Sequence, residues 1–205
     1  MFWPASSQEK HLEQPSSSKI VRKAAMADIP SILAMINGYA ANGIMLPRTE
    51  FELSEFIRDF TVIYDEDRLI GCAALHFYGP TIAELRSLAV DASAKGTGAG
   101  RLLMQAIDAE ANAFGLQSLF AFTYVPDFFA KMGYSLVDRN ELPLKAWKDC
   151  LRCPKFQACD EIAVLKYLRP PTAPKPAQEP FQIFSSDSTS GVAFQQYTLP
   201  RPSGH

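Results

Sequence analysis

A chain of 205 residues with 20 Lys and Arg against 22 Asp and Glu carries a net charge of −2. That balance supplies no global basic field for nucleic acid or an anionic membrane surface, so an anionic ligand must be held by local groups. No apolar run approaches the roughly 20 residues that span a bilayer, and the opening MFWPASSQEKHLEQPSSSK lacks the apolar centre of a secretory signal; a cytoplasmic location is expected.

Residues 1–18 are rich in Ser, Pro and Gln without periodicity and read as a mobile arm. Ile20–Ala24 reads as a strand. Asp28 stands where an N-cap belongs, with Pro30 in the first turn. Ile32, Leu33, Ile36, Tyr39 and Ala40 then form a helical apolar stripe that Asn42-Gly43 ends. A second short helix fits Leu53–Asp59. Thr61–Tyr64 and Leu69–Phe77 flank Asp65-Glu66-Asp67-Arg68 and predict a hairpin. Ile82–Val90 is the next strand. Gly100–Phe114 follows as a helix with Leu102, Leu103, Ala106 and Ile107 inward and Gly115 as its stop. Ser118–Tyr124 reads as a strand, Asp127–Met132 as a short helix and Tyr134–Val137 as a strand. A helix is expected near 143–150 around Trp147, and a last strand over Ile162–Leu168. From Arg169 the chain runs RPPTAPKPAQEP and continues with Ser, Thr, Gly and Gln. Such a segment buries too little apolar area to offset its ordering entropy, though Phe181, Ile183, Phe184, Phe194 and Tyr197 give part of it docking points for the domain or a partner. The folded unit is therefore expected over 19–168, with a Pro/Ser-rich tail at 169–205. A hairpin-rich start followed by βαβα predicts an α/β domain: a mixed, mostly antiparallel twisted sheet with helices on both faces.

The stretch AELRSLAVDASAKGTGAGRLL (Ala83–Leu103) carries the most chemistry. An apolar strand enters a turn with Gly96, Gly98 and Gly100, and the turn opens directly into a helix. Orphan N–H groups at a helix N-terminus, bare of side chains, bind phosphate because donors and macrodipole point the same way. A Walker loop is excluded, since no Lys-Ser or Lys-Thr follows the glycines. A dinucleotide fingerprint is excluded by the G-x-G-x-G spacing, and Glu84 and Arg86 are foreign to a fully buried parallel strand. The four cysteines read as thiols or metal ligands rather than disulfides. Cys150, Cys153 and Cys159 give C-x-x-C-x5-C, only half of a zinc site, and Cys72 belongs to an apolar strand. Packing is the favoured role over metal or redox chemistry, and no metal is expected.

Lys95, Gly96, Thr97, Gly98, Ala99 and Gly100 resemble the pyrophosphate loop [Q/R]-x-x-G-x-[G/A] of the GCN5-related N-acetyltransferases, with Lys replacing the first Gln or Arg. The segments GIMLPR (43–48), TVIY (61–64), IGCAALH (70–76), AELRSLAV (83–90), FTYVPDFFAKMG (122–133) and LPLKAWKDCLRCPKFQACDE (142–161) resemble the acetyltransferase domain of N-acetylglutamate synthases. The similarity spans about 20–168 and includes no amino-acid-kinase domain, so the chain resembles the short, stand-alone branch. It implies an acetyl-CoA-dependent N-acetyltransferase acting on the α-amine of L-glutamate, the entry step of arginine synthesis, by direct transfer in a ternary complex. The resemblance also implies weak or no inhibition by arginine.

By this resemblance acetyl-CoA is held by Lys95, Gly96, Thr97, Gly98, Ala99, Gly100 and Arg101, and by the strand residues Leu88, Ala89 and Val90, whose backbone N–H groups polarise the thioester carbonyl. Glu84 takes the general-base position, directly or through water; an ordinary surface carboxylate is the alternative. Arg86, two residues on, shares a strand face with Glu84 and is expected to bind an acceptor carboxylate; a mutual ion pair is the alternative. Arg48, in a loop expected to close over the acceptor, is expected to be the second carboxylate ligand, a solvated loop charge being the alternative, and Thr123 is a further substrate contact. A tyrosine often used as leaving-group acid in the superfamily is replaced here by Phe129, leaving Tyr124 as the nearest candidate; a packing or acceptor-pocket role for Tyr124, with the thiolate leaving unaided or through water, is the alternative. His76 reads as a sheet-end residue rather than a base, Phe128 and Phe129 as core or channel wall, and Lys131 as a solvated lysine. Two competing functions stand beside glutamate acetylation. One is the same transfer to another amino acid, a polyamine or a protein lysine. The other is an acyl-CoA-binding regulator without chemistry. No nucleic-acid or membrane partner is expected, and a homodimer is left open.

Overall fold

The computed structural model describes residues 19–143, 151, 153, 155 and 158–170. The N-terminal arm, the helix expected around Trp147, Cys150 and the tail beyond Pro170 lie outside the described residues. Seven strands form one sheet in the order β1-β2-β3-β4-β5-β7-β6. They are β1 (Lys19–Lys23), β2 (Phe60–Asp65), β3 (Arg68–Phe77), β4 (Ile82–Val90), β5 (Ser118–Thr123), β6 (Ser135–Leu136) and β7 (Ile162–Tyr167). Every neighbouring pair is antiparallel except β4–β5. This is the mixed, mostly antiparallel α/β sheet expected from the element order.

Among the described residues four α-helices cover its two faces: α1 (Ile29–Ala40), α2 (Glu50–Phe56), α3 (Ala99–Ala113) and α4 (Pro126–Lys131). Leu103, Met104 and Ile107 of α3 pack on Ile63, Ile70, Leu75, Leu85 and Leu119. Ile29, Ile32 and Ile36 of α1 and Leu53 of α2 pack on Val62, Leu69, Cys72 and Ala74 on the opposite face. Each fully buried aliphatic side chain contributes about 1.5–3 kcal/mol relative to exposure. Leu102, expected inward, is instead exposed, and Met104 takes the buried position. The inward stripe of α3 is Ala99, Leu103, Met104, Ile107 and Ala111.

Asp28 precedes α1 as expected, but its carboxylate does not cap the helix. It accepts from the Ala25 N–H at 2.7 Å, from both terminal nitrogens of Arg22 at 2.7 and 2.9 Å, and from the Tyr64 hydroxyl at 2.8 Å. Those donors hold its carboxyl well below the usual carboxylate range, the Arg22 bond first among them. α2 begins at Glu50, earlier than predicted, on a reciprocal capping box between Thr49 and Glu52, and runs into a 3-10 turn at Ile57–Asp59.

Two irregularities of β4 open the sheet. β4 and β5 pair in parallel only over Ile82–Ser118, Ala83–Leu119 and Glu84–Phe120, beyond which the ladder stops although both strands continue. Against β3, Cys72 faces Ala89 while Ala74 faces Arg86, so Ser87 and Leu88 together oppose Ala73. Ser87 has φ 53°, a left-handed conformation that is uncommon without glycine. The Cys72 thiol lies 3.7 Å from the Ser87 carbonyl.

Candidate active site

Where β4 and β5 part, the space between them becomes a cavity of about 190 Å³. Arg48, Glu84, Arg86, Thr123, Tyr124 and Glu161 supply its polar wall. A longer cleft of about 840 Å³ runs from Leu88, Ala89 and Val90 to the glycine turn and the start of α3. Ile44, Met45, Leu88, Tyr124 and Val125 line both spaces, so the two share a wall at the splay.

Gly96 and Gly98 adopt φ of 80° and 87°, which only glycine takes at little cost, and a Cβ on either would meet nothing within 4 Å. The turn is thus bare toward the cleft. Gly98 is the N-cap of α3, and the helix's first intrahelical bond runs from the Leu102 N–H to the Gly98 carbonyl. The N–H groups of Ala99, Gly100 and Arg101 precede that bond, as orphan donors at a helix start do. Lys95 and Arg101 add positive charge to the same wall. Gly100 approaches Phe128 so closely that a Cβ would stand 3.4 Å from the ring. The donors and cations, continuous with a cleft that reaches back along Leu88, Ala89 and Val90, fit a pyrophosphate with an extended arm. Thr97 stands apart from the other loop residues: its hydroxyl donates back to the Ala94 carbonyl at 2.8 Å, and it does not line the cleft.

The 3.8 Å gap between Arg86 Nη2 and Asp59 Oδ2 gives Arg86 an ion-pair partner on the 3-10 turn after α2. Glu84 is buried, with an Oε2 that accepts from the Tyr78 hydroxyl at 2.9 Å. Arg48 sits in the loop between α1 and α2. Its backbone is held at both ends by the side chain of Asn37: the Arg48 N–H donates to Oδ1 at 2.9 Å and the Asn37 amide donates to the Arg48 carbonyl at 3.0 Å. Thr123 Oγ1 accepts from the Val125 N–H at 3.0 Å, so its hydroxyl also shapes the entry to α4.

Tyr124 stands on the shared wall. Its hydroxyl donates to Asp160 at 2.7 Å and accepts from Lys155 at 3.1 Å. Burial, and after it the Asp160 carboxylate, push its pKa above the ordinary tyrosine value, so the phenol keeps its proton at neutral pH. Glu161 was not foreseen from the sequence. Burial raises its carboxyl above the usual range, and the Cys159 thiol lies 4.0 Å from Oε2. Asn37, Asp59, Tyr78, Ser87 and Asp160 were equally unmarked, because no spacing or motif ties them to the glycine turn. His76 is half-buried and bonded to Asp59, in keeping with a sheet-end residue. Phe129 is core and Phe128 lines the cleft, while Lys131 is exposed. Burial pushes the Cys72 thiol up to about 12. Among the described residues no group of three or more His, Cys, Asp or Glu is placed to hold a metal ion, and no helix is long and apolar enough to cross a membrane.

The acetyltransferase (GNAT) family model matches residues 34–134. An N-acetyltransferase of Chlorobaculum tepidum, itself uncharacterized, is 42% identical over 154 residues, covering 75% of this chain and 99% of that protein. The amino-acid acetyltransferase of Mycobacterium tuberculosis is 27% identical over 162 residues, covering 77% of this chain and 92% of that protein. Among solved structures, N-acetylglutamate synthase from Neisseria gonorrhoeae complexed with coenzyme A and N-acetyl-glutamate superposes with a TM-score of 0.68 at 29% identity. The match covers 75% of this chain and 36% of that longer one. A splayed β4–β5 pair, a bare glycine turn at the start of α3 and these likenesses converge: the chain belongs to the GNAT family of acetyl-CoA-dependent N-acetyltransferases.

Proposed function

We propose that this enzyme acetylates the α-amine of a free amino acid, L-glutamate foremost, within a ternary complex with acetyl-CoA. Acetyl-CoA supplies the activated acetyl group; the chain supplies binding, orientation and proton transfer. Lys95, Arg101 and the N–H groups of Gly98, Ala99 and Gly100 hold the anionic end. Backbone N–H groups of Leu88, Ala89 and Val90 polarise the carbonyl. Glu84 removes a proton from the ammonium group, directly or through one water. Arg48 and Arg86 bind carboxylates of the acceptor through the planar fork that suits them, and Thr123 adds a hydrogen bond. Tyr124, still protonated at neutral pH, donates toward the departing thiolate.

One observation carries the choice of a small acid: two arginines and a buried glutamate share one cavity of about 190 Å³. A space of that size encloses an amino acid and is narrow for a protein chain. The likeness to N-acetylglutamate synthase supports glutamate and, with it, a cytoplasmic place at the entry to arginine synthesis. The Glu161 carboxyl on the same wall favours a second acceptor class, amino acids with a neutral hydrogen-bonding side chain. The catalytic unit is assigned to residues 19–168. Thiol release from acetyl-CoA, measured against the twenty amino acids one at a time, tests the proposal. Release with glutamate and little with the rest is expected; release with no free amino acid would remove it.

A further inference from the structure

Behind the cavity wall, three elements meet around Arg86. Asp59 belongs to the 3-10 turn after α2, His76 to β3 and Arg86 to β4. His76 Nδ1 lies 2.6 Å from Asp59 Oδ2, and the same oxygen lies 3.8 Å from Arg86 Nη2. An ionised carboxylate only accepts, so Nδ1 carries the proton and donates. Phe56, at the end of α2, meets both partners: the Arg86 guanidinium carbon stands 5.3 Å over its ring, and the His76 ring packs edge-on at 5.4 Å. His76 also faces Glu84 across the β3–β4 ladder and packs edge-on against Tyr78, whose hydroxyl holds Glu84.

We infer that Asp59 and His76 are positioning residues for acceptor recognition, fixing the Arg86 guanidinium in the pose that receives the acceptor's carboxylate. This rests on the proposed amino-acid acceptor. Neither residue lines the cavity, whereas Arg86 does. A free arginine side chain surrenders rotamer entropy on binding, and holding it beforehand removes that cost from the binding step. Asp59 orients the fork, Phe56 stacks on its face, and the imidazole N–H keeps the Asp59 carboxylate from swinging away. The short run from Arg48 through α2 to Asp59 thus serves both arginines, carrying one at its start and anchoring the other at its end.

Steady-state kinetics of Asp59→Ala, Asp59→Asn, His76→Leu and His76→Asn, with an amino acid that the wild type acetylates, test the inference. The amino-acid KM is expected to rise about tenfold in the two Asp59 variants and in His76→Leu, with the acetyl-CoA KM within twofold of wild type. His76→Asn should recover the wild-type value, because the asparagine Nδ2 can stand where Nδ1 stood. Asp59→Asn keeps the shape of the side chain, so it reads the charge even if Asp59→Ala fails to fold. An unchanged amino-acid KM in Asp59→Asn overturns the inference. So does a parallel rise in both KM values, which a purely structural role would give. A wild-type enzyme that acetylates no free amino acid overturns the acceptor class itself, a result separate from either.

Discussion

Glu84 of β4 and Phe120 of β5 form the last rung of the single parallel pair in the sheet. Beyond that rung the two strands separate, and the backbone that would have closed the ladder borders the cavity instead. Glu84 therefore sits at the apex of the opening, buried, with Tyr78 holding one carboxylate oxygen.

Replacing Glu84 by Gln keeps the shape of the side chain and removes the carboxylate proposed as base. The turnover of Glu84→Gln is expected to fall by about 10²–10⁴-fold. Acetyl-CoA affinity, measured by calorimetry, should stay within twofold. An unchanged rate would take Glu84 out of the mechanism.

Tyr124→Phe keeps the ring on the shared wall and removes the hydroxyl that joins Asp160 and Lys155. A loss of roughly 10–100-fold in kcat is expected if the phenol supplies the proton. Because its pKa lies above the ordinary tyrosine value, the wild-type rate should show no decline from this group up to about pH 10. A rate within twofold of wild type in Tyr124→Phe would assign Tyr124 to packing.

Asn37 is remote from the reaction yet holds Arg48 by two hydrogen bonds. Asn37→Ala should cost roughly 1–2 kcal/mol of stability, read by thermal denaturation. It should also raise the amino-acid KM several-fold with little change for acetyl-CoA. Equal effects on both substrates would show that the loop serves the fold alone.

Two glycines give opposite expectations. Gly38 lies within α1 with open space around it and ordinary backbone; Gly38→Ala should stabilise by about 0.5–1 kcal/mol. Gly98 has φ 87° at the start of α3; Gly98→Ala should destabilise by about 1 kcal/mol and weaken acetyl-CoA binding. Melting temperatures with and without coenzyme A measure both effects. A Gly98→Ala protein as stable and as tight-binding as wild type would sink the account of the turn.

Asp28 gives a pH signature. Its folded-state pKa is depressed, so its stabilising contribution is present at and above the ordinary carboxylate range and is lost as pH falls through the folded value. Asp28→Asn should cost about 1–3 kcal/mol at pH 7, because the buried carboxylate of Asp28 is lost from its charge-assisted hydrogen bonds with the partly exposed Arg22. Denaturant melts at pH 7, 4 and 2.5 should show the gap between wild type and Asp28→Asn narrowing toward acid. A gap that stays constant with pH would contradict this ionised network.

Local rules were enough for much of this protein. The bounds of β4 follow from its apolar run, the stop of α3 from Gly115, and the anion-binding character of the α3 start from Gly96, Gly98 and Gly100, because each depends on residues within a few positions of one another. Their order also predicts a mixed sheet with helices on both faces. What the sequence could not give by itself depends on long-range pairing. β7 inserts between β5 and β6 although it comes last. The splay after Glu84 and the bulge at Ser87 are properties of how three strands pair, and Ser87 carries no local mark of its left-handed backbone. Asp59, His76 and Arg86 converge from separate elements, and Glu161 reaches the cavity of Glu84 from the far end of the domain. The sequence by itself determined which elements form and which turn stands bare at a helix start. Only the tertiary structure decided which carboxyls and guanidiniums share one cavity, because that depends on strand order, register and bulges rather than on spacing along the chain.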